Sequence, residues 1–387
     1  MIIVNEKLPP TRKATTKSSV YGQLDVWRAL AAIWVVMEHA CSTVLSDTHV
    51  VPHATSFLLK NYIIFSLSGQ LGVIMFFVIS GYCIVLAADR AINKQKTPVD
   101  FLKARFRRIF PPYYASIALA VVLPLSFLAM AHLGLIPMPN HKVEFLNGSF
   151  VYYFANLTLT QDLLHVTPIQ AIYWSLCYEV AFYVIVAICM FLNKTLKFNL
   201  HSMLFIITQL SLLWLIISPD TCPFPFGLWY LFGLGGLVYR LIQRPDDLFA
   251  KLFLGITGLS VLLFACFQKG HYLLGHPSSR TQAIFGLVFS AIILLLHRFD
   301  GVLMNNRLVR IFAFLGTMSY SIYLSHTSVI AIPRQLMIKL GFIDDKYWVT
   351  FIVQIVVGIV FGYVFHIFCE RPFMSAHAKV REDKIKV

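Results

Sequence analysis

Ionisable side chains inside long apolar stretches are the residues of this sequence best placed to do chemistry. Arg28, Glu38 and His39 fall within one such stretch, LDVWRALAAIWVVMEHA. The eleven-residue spacing of Arg28 and His39 puts them on nearly one face of a helix and about 16 Å apart along its axis. An ionisable group at membrane depth is costly without a partner, so such residues are functional candidates.

Glu179 and His326 extend this set, because each lies about seven residues from the outer end of its own apolar stretch, as His39 does. All three are then about 10 Å below the outer surface. A carboxylate and two imidazoles at one level are predicted to face each other, although the matching depths can also arise by chance. A neutral imidazole oriented by Glu179 or Glu38 can take the proton of an attacking hydroxyl, which is general base catalysis.

A basic segment, ARFRRIFPPYY, precedes the third apolar stretch and contains Arg105 and Arg108. Guanidinium groups bind phosphates in bidentate fashion, so these arginines can form a phosphate clamp. The same charges can equally serve only to orient the following helix in the membrane. Simpler interpretations also stay open for the first stretch, since Arg28 can extend to the lipid headgroups and His39 can be a hydrogen-bonded structural residue.

Several kinds of active site are not represented in the sequence. It has no GxSxG and no HExxH motif, which argues against a serine hydrolase and a metalloprotease. The seven cysteines form no CxxC pair and no Cys/His metal spacing, so we predict neither a metal site nor a disulfide framework.

The elements that carry these residues are predicted to be transmembrane helices. Hydrophobic residues make up 58% of the 387-residue chain, charged residues make up only 13%, and the mean hydropathy is +0.72. Soluble domains have about 25% charged residues. The net charge of +14 falls in short clusters between apolar runs, which favours loops that face anionic lipid and argues against a nucleic-acid-binding protein.

The predicted fold class is an all-α polytopic membrane protein with about ten transmembrane helices, because apolar runs of about 20 residues match the thickness of a bilayer. The predicted spans are Val26–Ser46, Leu67–Ala87, Phe110–His132, Ile172–Leu192, Ser202–Pro219, Phe224–Leu241, Leu252–Gln268, Gln282–His297, Ile311–Ile332 and Trp348–Phe368.

The distribution of basic residues between the loops predicts the orientation. If the N-terminus is cytoplasmic, the inner loops carry most of the Lys and Arg residues and the outer loops carry few. This positive-inside pattern predicts an even number of spans with both termini cytoplasmic. The expected location is a bacterial inner (cytoplasmic) membrane, which the chain crosses several times. The predicted organisation is a tail of residues 1–23, a transmembrane domain of residues 24–374 and a tail of residues 375–387. No cleaved signal peptide is expected, because the first span can itself serve as the targeting signal.

Six segments together resemble a known family. The order and spacing of the integral-membrane acyltransferase-3 family are shared by LDVWRALAAIWVVMEHA, GVIMFFVISGY, ARFRRIFPPYY, IYWSLCYEVAFY, MSYSIYLSHTSVI and CERPF. The resemblance covers roughly residues 21–374. It implies transfer of an acyl group, usually acetyl, from cytoplasmic acyl-CoA to a carbohydrate hydroxyl on the outer side. Acetyl-CoA is then a donor substrate, and no permanently bound cofactor is expected.

The resemblance also implies roles for single residues. Arg28 and His39 match the family's Arg-x10-His pattern, so His39 is expected to be catalytic and Arg28 to help hold the coenzyme. Arg105 and Arg108 match its RxxR motif, which favours binding of the coenzyme A phosphates.

The second segment, Gly72–Gly81, matches a helix motif in which Ser80 and Gly81 allow close approach of the donor or of a helix. The catalytic set is completed by Glu179 and Glu38. The residues expected to bind substrate are Trp174, Ser175, Tyr320 and His326, with Tyr152 and Tyr153 from the long outer segment between the third and fourth spans.

The predicted acceptor is an extracytoplasmic or lipid-linked glycan, such as an exopolysaccharide, a lipopolysaccharide or an oligosaccharide. Some relatives carry a fused esterase-like domain, whereas this sequence resembles the stand-alone members. Such a protein can act on the glycan directly or hand the acyl group to a polysaccharide-biosynthesis partner. Direct attack assisted by His39 and a relay through an acyl-histidine both fit the sequence.

Other functions compete with this one. A transporter or flippase also carries His, Glu and Arg inside the membrane. The sequence shows no repeated halves with paired broken helices, which argues against that class. A succinyltransferase for periplasmic glucans and an acyltransferase for a macrolide or a lipid are alternatives within the enzyme class. A scaffold in polysaccharide export is a third class, but it leaves His39 unexplained.

Overall fold

The structure, a computed structural model, describes residues 22–47, 57–134, 144–267, 278–339 and 347–385. All regular elements in these ranges are helices, and no strand occurs in them. Most of the predicted N-terminal tail, including Lys7 and Lys17, lies outside the described residues, as do the outer-loop residues Asn140, Lys142 and Lys269.

Seventeen α-helices form the described fold. They are α1 (Gln23–Asp47), α2 (Phe57–Leu67), α3 (Leu71–Asn93), α4 (Pro98–His132), α5 (Phe150–Thr158), α6 (Gln161–Leu164), α7 (Trp174–Leu196), α8 (Leu200–Ile217), α9 (Trp229–Gln243), α10 (Leu248–Phe267), α11 (Ser279–Leu296), α12 (Asp300–Leu303), α13 (Arg307–Thr317), α14 (Ser319–Val329), α15 (Ala331–Lys339), α16 (Tyr347–Phe365) and α17 (Ala376–Ile385). Single 3₁₀ turns join several of them, and a π-helical turn at His366–Glu370 extends α16.

A helix occupies the position of each of the ten predicted spans. Seven helical segments of the described chain are long and apolar enough to cross a membrane, and an eighth is added if the bent pair α13–α14 is one span. The all-α polytopic membrane fold is therefore confirmed. The helices α1, which carries charged residues, and α9, which has 15 residues, are outside this set, so their crossing remains a prediction.

Large apolar side chains cover the outer surface of these helices. In α10, Leu252, Leu259 and Phe267 are exposed, and α16 exposes Ile352 and Val360. Water would make such a surface unfavourable, whereas lipid acyl chains solvate it well. The exposed side chains therefore mark the lipid-facing side of the bundle, and the polar residues of interest lie on the opposite side.

The ninth predicted span is not one continuous helix. Helices α13 and α14 meet at a 68° bend around Met318. Thr317 at the end of α13 donates its hydroxyl to the Phe314 carbonyl, and hydroxyls that bond back to the preceding turn bend helices. Gly316 presses against the α1 backbone, where a Cβ would lie 1.7 Å from the Asp25 carbonyl oxygen. The bend lets α14 leave the line of α13 and pass beside α1.

Close backbone approach holds α3 against α9. A Cβ at Gly235 would lie 1.9 Å from the Val78 carbonyl oxygen, and a Cβ at Gly81 would lie 2.1 Å from the Phe232 carbonyl oxygen. Helices in membranes associate through such small-residue contacts, because lipid supplies little hydrophobic driving force between them. This contact fixes the position of α3, which also packs on α1 and α7.

Substitution of Gly235 by valine is expected to destabilise the bundle by about 2 kcal/mol or more, because the two backbones must separate. The matched control is Gly255→Val in α10, where nothing lies within 4 Å of the added carbon. Thermal unfolding of the two purified variants in detergent measures the difference. Equal melting temperatures would show that the α3–α9 contact is not structurally important.

Candidate active site

Two imidazoles meet near one end of α1. His326 Nε2 of α14 lies 3.4 Å from His39 Nδ1 of α1, with the rings at 72° to each other. His39 Nδ1 also lies 3.0 Å from the carbonyl oxygen of Val35. His326 is completely buried, whereas His39 is partly exposed. The predicted juxtaposition of the two histidines is therefore confirmed.

Arg28 lies three helical turns away on the same helix and points into the protein. Its Nη1 donates to Asp25 Oδ1 at 3.0 Å, and its Nη2 contacts the sulfur of Cys83 in α3 at 3.1 Å. The Asp25 side chain is only 3% exposed. These contacts show that the guanidinium group is held between α1 and α3 and does not reach outward along the helix surface.

Arg105 of α4 points toward the same region. Its Nε is buried and has no hydrogen-bond partner among the described residues. The side chain interacts electrostatically with Glu179, Tyr183 and Cys83. A buried, charged N–H group without a partner is unfavourable unless a ligand accepts its hydrogen bond. Arg108 interacts electrostatically with Arg105 but is itself exposed, as is Arg107.

Glu179 belongs to the arginine cluster (Arg28, Arg105 and Arg108) and not to the histidine pair (His39 and His326). Its Oε1 accepts hydrogen bonds from Tyr183 at 2.7 Å and from Ser80 at 3.3 Å, and it interacts electrostatically with Arg28 and Arg105. No described hydrogen bond joins it to His39. The predicted meeting of Glu179 with both histidines is therefore wrong, because two guanidinium groups and two hydroxyls stabilise this partly buried carboxylate better than neutral imidazoles do.

Glu38 is next to His39 in sequence and is partly exposed, and no described hydrogen bond joins it to the His39 ring. Tyr323 of α14 connects the two regions electrostatically, since it interacts with both Glu38 and Glu179. Its hydroxyl also bonds to Ser175 at 2.7 Å and to the Ile172 carbonyl at 2.9 Å. Polar groups inside the bundle therefore extend from the arginine cluster toward the histidine pair.

Other predicted site residues line or support this interior. Ser175 is buried beside Tyr323, and Trp174 packs edge-on against Phe77. The hydroxyl of Tyr320 donates to the Ile109 carbonyl in α4 at 3.0 Å, and this tyrosine interacts electrostatically with Glu179.

Gly81 is used for a helix contact. The close approach at this residue is to the backbone of Phe232 in α9, so its assignment to the donor site is not supported by the packing. Ser80, the adjacent residue, does reach the arginine cluster through Glu179.

The outer aromatics are held in a separate element. The Tyr153 hydroxyl donates to the Phe145 carbonyl at 2.7 Å, and the Tyr152 and Tyr153 rings stack edge to face. Buried Asn156 fixes this segment by bonding the carbonyls of Tyr152 and Thr167. No described contact joins Tyr152 or Tyr153 to the histidine pair, so their role in substrate binding remains a prediction.

Sequence reasoning missed three polar residues of the site, Cys83, Tyr183 and Tyr323. Helical spacing carried a signal for two of them. Tyr183 lies four residues after Glu179, and Tyr323 lies three residues before His326, so each shares a helix face with a residue that the sequence did single out. Cys83 had no such signal, because its contact with Arg28 is made between helices.

Two cavities lie apart from these residues. One of about 360 Å³ is lined by His201, Arg240 and Asp247, among others, and one of about 570 Å³ lies along Trp214 and Phe226. The charged groups at the first cavity already pair with each other, Arg240 with Asp247 at 2.8 Å and His201 with Asp89 at 3.2 Å. Neither cavity brings together groups suited to a reaction.

Apolar helices that enclose an imidazole pair and an arginine cluster define a multi-pass membrane protein with a polar site inside the bundle. Comparison with known proteins identifies the class. The chain belongs to the acyltransferase domain family, whose model matches residues 21–369, the family indicated by the six sequence segments. It is therefore a membrane acyltransferase, and the transporter and scaffold interpretations are set aside.

A curated relative is the exopolysaccharide production protein ExoZ of Rhizobium meliloti (strain 1021). It is 27% identical over 323 residues, which cover 79% of this chain and 90% of that protein. No solved structure matches the chain.

Proposed function

We propose that this acyltransferase moves an acetyl group from cytoplasmic acetyl-CoA to a hydroxyl of an exopolysaccharide or its lipid-linked precursor, in the cytoplasmic membrane of a bacterium. The observation that carries the proposal is the position of His39. It is a partly exposed imidazole that contacts the buried ring of His326, and it lies three helical turns from Arg28 on the same helix. The similarity to the exopolysaccharide production protein supports the choice of acceptor.

The donor is assigned to the arginine cluster. The phosphates of coenzyme A carry several negative charges, and guanidinium groups bind phosphate through charge-assisted hydrogen bonds. Arg105 has a buried Nε without a protein partner, and exposed Arg108 lies one helical turn further along α4. Glu179, Ser80 and the Arg28–Asp25 pair position the cluster.

The thioester then has to reach His39. The distance along α1 between Arg28 and His39 is about 16 Å, which the extended pantetheine arm of coenzyme A can span. Tyr323 interacts electrostatically with both Glu38 and Glu179 and bonds to Ser175, so these two residues are candidates to stabilise the donor along this route. The acceptor hydroxyl approaches from the opposite side of the membrane.

At His39 the reaction is an acyl transfer with a general base. The imidazole takes the proton of the acceptor hydroxyl, whose oxygen attacks the thioester carbonyl. The carbon–sulfur bond breaks, and the coenzyme A sulfur leaves and takes the proton back from His39. The products are the acylated glycan and free coenzyme A, so no further reactant is needed.

The proposal is tested by expressing the chain in a host from which it has been deleted and measuring ester-linked acyl groups on surface polysaccharides by mass spectrometry. We expect acyl esters only when the protein is present, with the mass of an acetyl group. A succinyl mass would correct the donor and keep the reaction class. Identical acylation with and without the protein, together with altered export of the glycan, would overturn the proposal.

A further inference from the structure

We propose that His326 is a positioning residue that holds the proton of His39 on Nδ1 and thereby keeps Nε2 of His39 free to act as the base. This inference deepens the proposed function and depends on it. It assigns to His326 a role other than the substrate binding expected from the sequence.

The hydrogen bonds of His326 define which of its nitrogens carries the proton. His326 Nδ1 lies 2.8 Å from the Tyr323 carbonyl oxygen and 3.1 Å from the Ile322 carbonyl oxygen. Carbonyl oxygens only accept hydrogen bonds, so Nδ1 must be the N–H donor. No described carboxylate bonds the ring to hold a second proton. Nε2 of His326 therefore presents a lone pair.

That lone pair faces His39. Nδ1 of His39 lies between two acceptors, the Val35 carbonyl oxygen at 3.0 Å and His326 Nε2 at 3.4 Å. Nδ1 can satisfy both only as an N–H donor, which leaves the Nε2 of a neutral His39 without a proton. Among the described residues, Nε2 of His39 has no hydrogen-bond partner, and the ring is partly exposed. The nitrogen that can accept a proton is therefore the accessible one.

The pair also fixes the orientation of the ring. The Val35 carbonyl belongs to the same helix as His39, so it constrains the ring only from α1, whereas His326 approaches from α14. When His39 becomes an imidazolium, its Nδ1–H keeps both acceptors. His326 is 0% exposed, so it acts on the reaction through His39 and not by contact with substrate.

Two amide substitutions at position 326 separate this role from a structural one. In His326→Gln the amide oxygen can take the place of Nε2 and accept the His39 proton. In His326→Asn the amide reaches only the position of Nδ1, so the variant keeps a buried polar group but loses the acceptor. Activity is measured with the full chain in lipid nanodiscs, with acetyl-CoA and purified polysaccharide, and folding is checked by thermal unfolding.

We expect His326→Asn to lower kcat about 100-fold with little change in either KM, and His326→Gln to retain kcat within about tenfold of the wild type. Wild-type kcat in the Asn variant, or equal loss in both variants, would overturn the inference. A rise in the KM of the acceptor without a fall in kcat would also overturn it, in favour of substrate binding. Loss of activity in His39→Ala combined with full activity in His326→Asn would refute only this inference, whereas an active His39→Ala would refute the proposed mechanism itself.

Discussion

His39→Ala is expected to reduce the rate of acyl transfer about 1,000-fold, because a general base that is removed from an acyl-transfer site contributes about 10²- to 10⁴-fold. The measurement is the initial rate of ester formation on the glycan, with acetyl-CoA at saturating concentration. Binding of acetyl-CoA is expected to be unchanged, because the arginine cluster that holds the coenzyme lies about 16 Å away along α1.

The matched control is His132→Ala, which removes an exposed imidazole at the end of α4. This variant is expected to keep the wild-type rate. Loss of folding would imitate loss of catalysis, so both variants are compared by thermal unfolding and by coenzyme binding. If folded His39→Ala still acylates the glycan at the wild-type rate, neither a base nor an acyl-histidine at this residue is part of the mechanism.

Arg105→Ala is expected to raise the KM for acetyl-CoA about 10- to 100-fold. A hydrogen bond to a charged group contributes about 1.5–3 kcal/mol, and each 1.4 kcal/mol changes affinity about tenfold. Because Arg105 is assigned to the phosphates and not to the reacting atoms, kcat is expected to change much less. The measurement is the dependence of the transfer rate on acetyl-CoA concentration.

Arg107→Ala provides the control for Arg105, since it removes the same charge two residues away from an exposed position of the same helix. A purely topogenic role of the basic segment predicts equal effects of the two substitutions, mainly on insertion and protein level. Equal KM values in the two variants would therefore disprove the phosphate clamp. If the KM for acetyl-CoA rises only in Arg105→Ala, the Arg105 guanidinium binds acetyl-CoA.

The histidine pair shows what counting residues along a sequence can achieve. His39 and His326 were placed at one depth from the ends of their apolar stretches, and their rings do meet. The count worked for these two residues although the ninth span is broken, because the break at Met318 lies eight residues before His326 and leaves α14 beside α1.

The same count of residues from the end of an apolar stretch gave a wrong prediction for Glu179, which does not meet the histidines. The depth of a residue does not determine which neighbours its side chain meets, and Glu179 lies on α7, where Ser80 and Tyr183 are within hydrogen-bonding distance. A carboxylate that is partly withdrawn from water, as Glu179 is, is stabilised by the strongest available donors and cations. The donors and cations around Glu179 come from four helices, α1, α3, α4 and α7, and their arrangement follows from how these helices pack.

Gly81 illustrates a further limit. A glycine next to a serine in an apolar segment indicates that something approaches the backbone closely, and the sequence left open whether this is a ligand or a helix. The answer depends on Gly235, which is 154 residues away and makes the reciprocal contact from α9. Small-residue contacts between membrane helices carry no local signal about their partner.

The sequence by itself determined that this protein is helical, crosses a membrane several times and places Arg28 and His39 on one face of a helix. Composition and helical periodicity suffice for these features, because a bilayer accepts only apolar segments with internally satisfied backbones. The sequence also predicted that His326 meets His39, whereas the tertiary structure alone decided the partners of Arg28, which are Asp25 and Cys83, and of Glu179, which are the arginines. These contacts join different helices in most cases, and the energy of a buried polar group depends on the neighbours that packing brings within hydrogen-bonding distance.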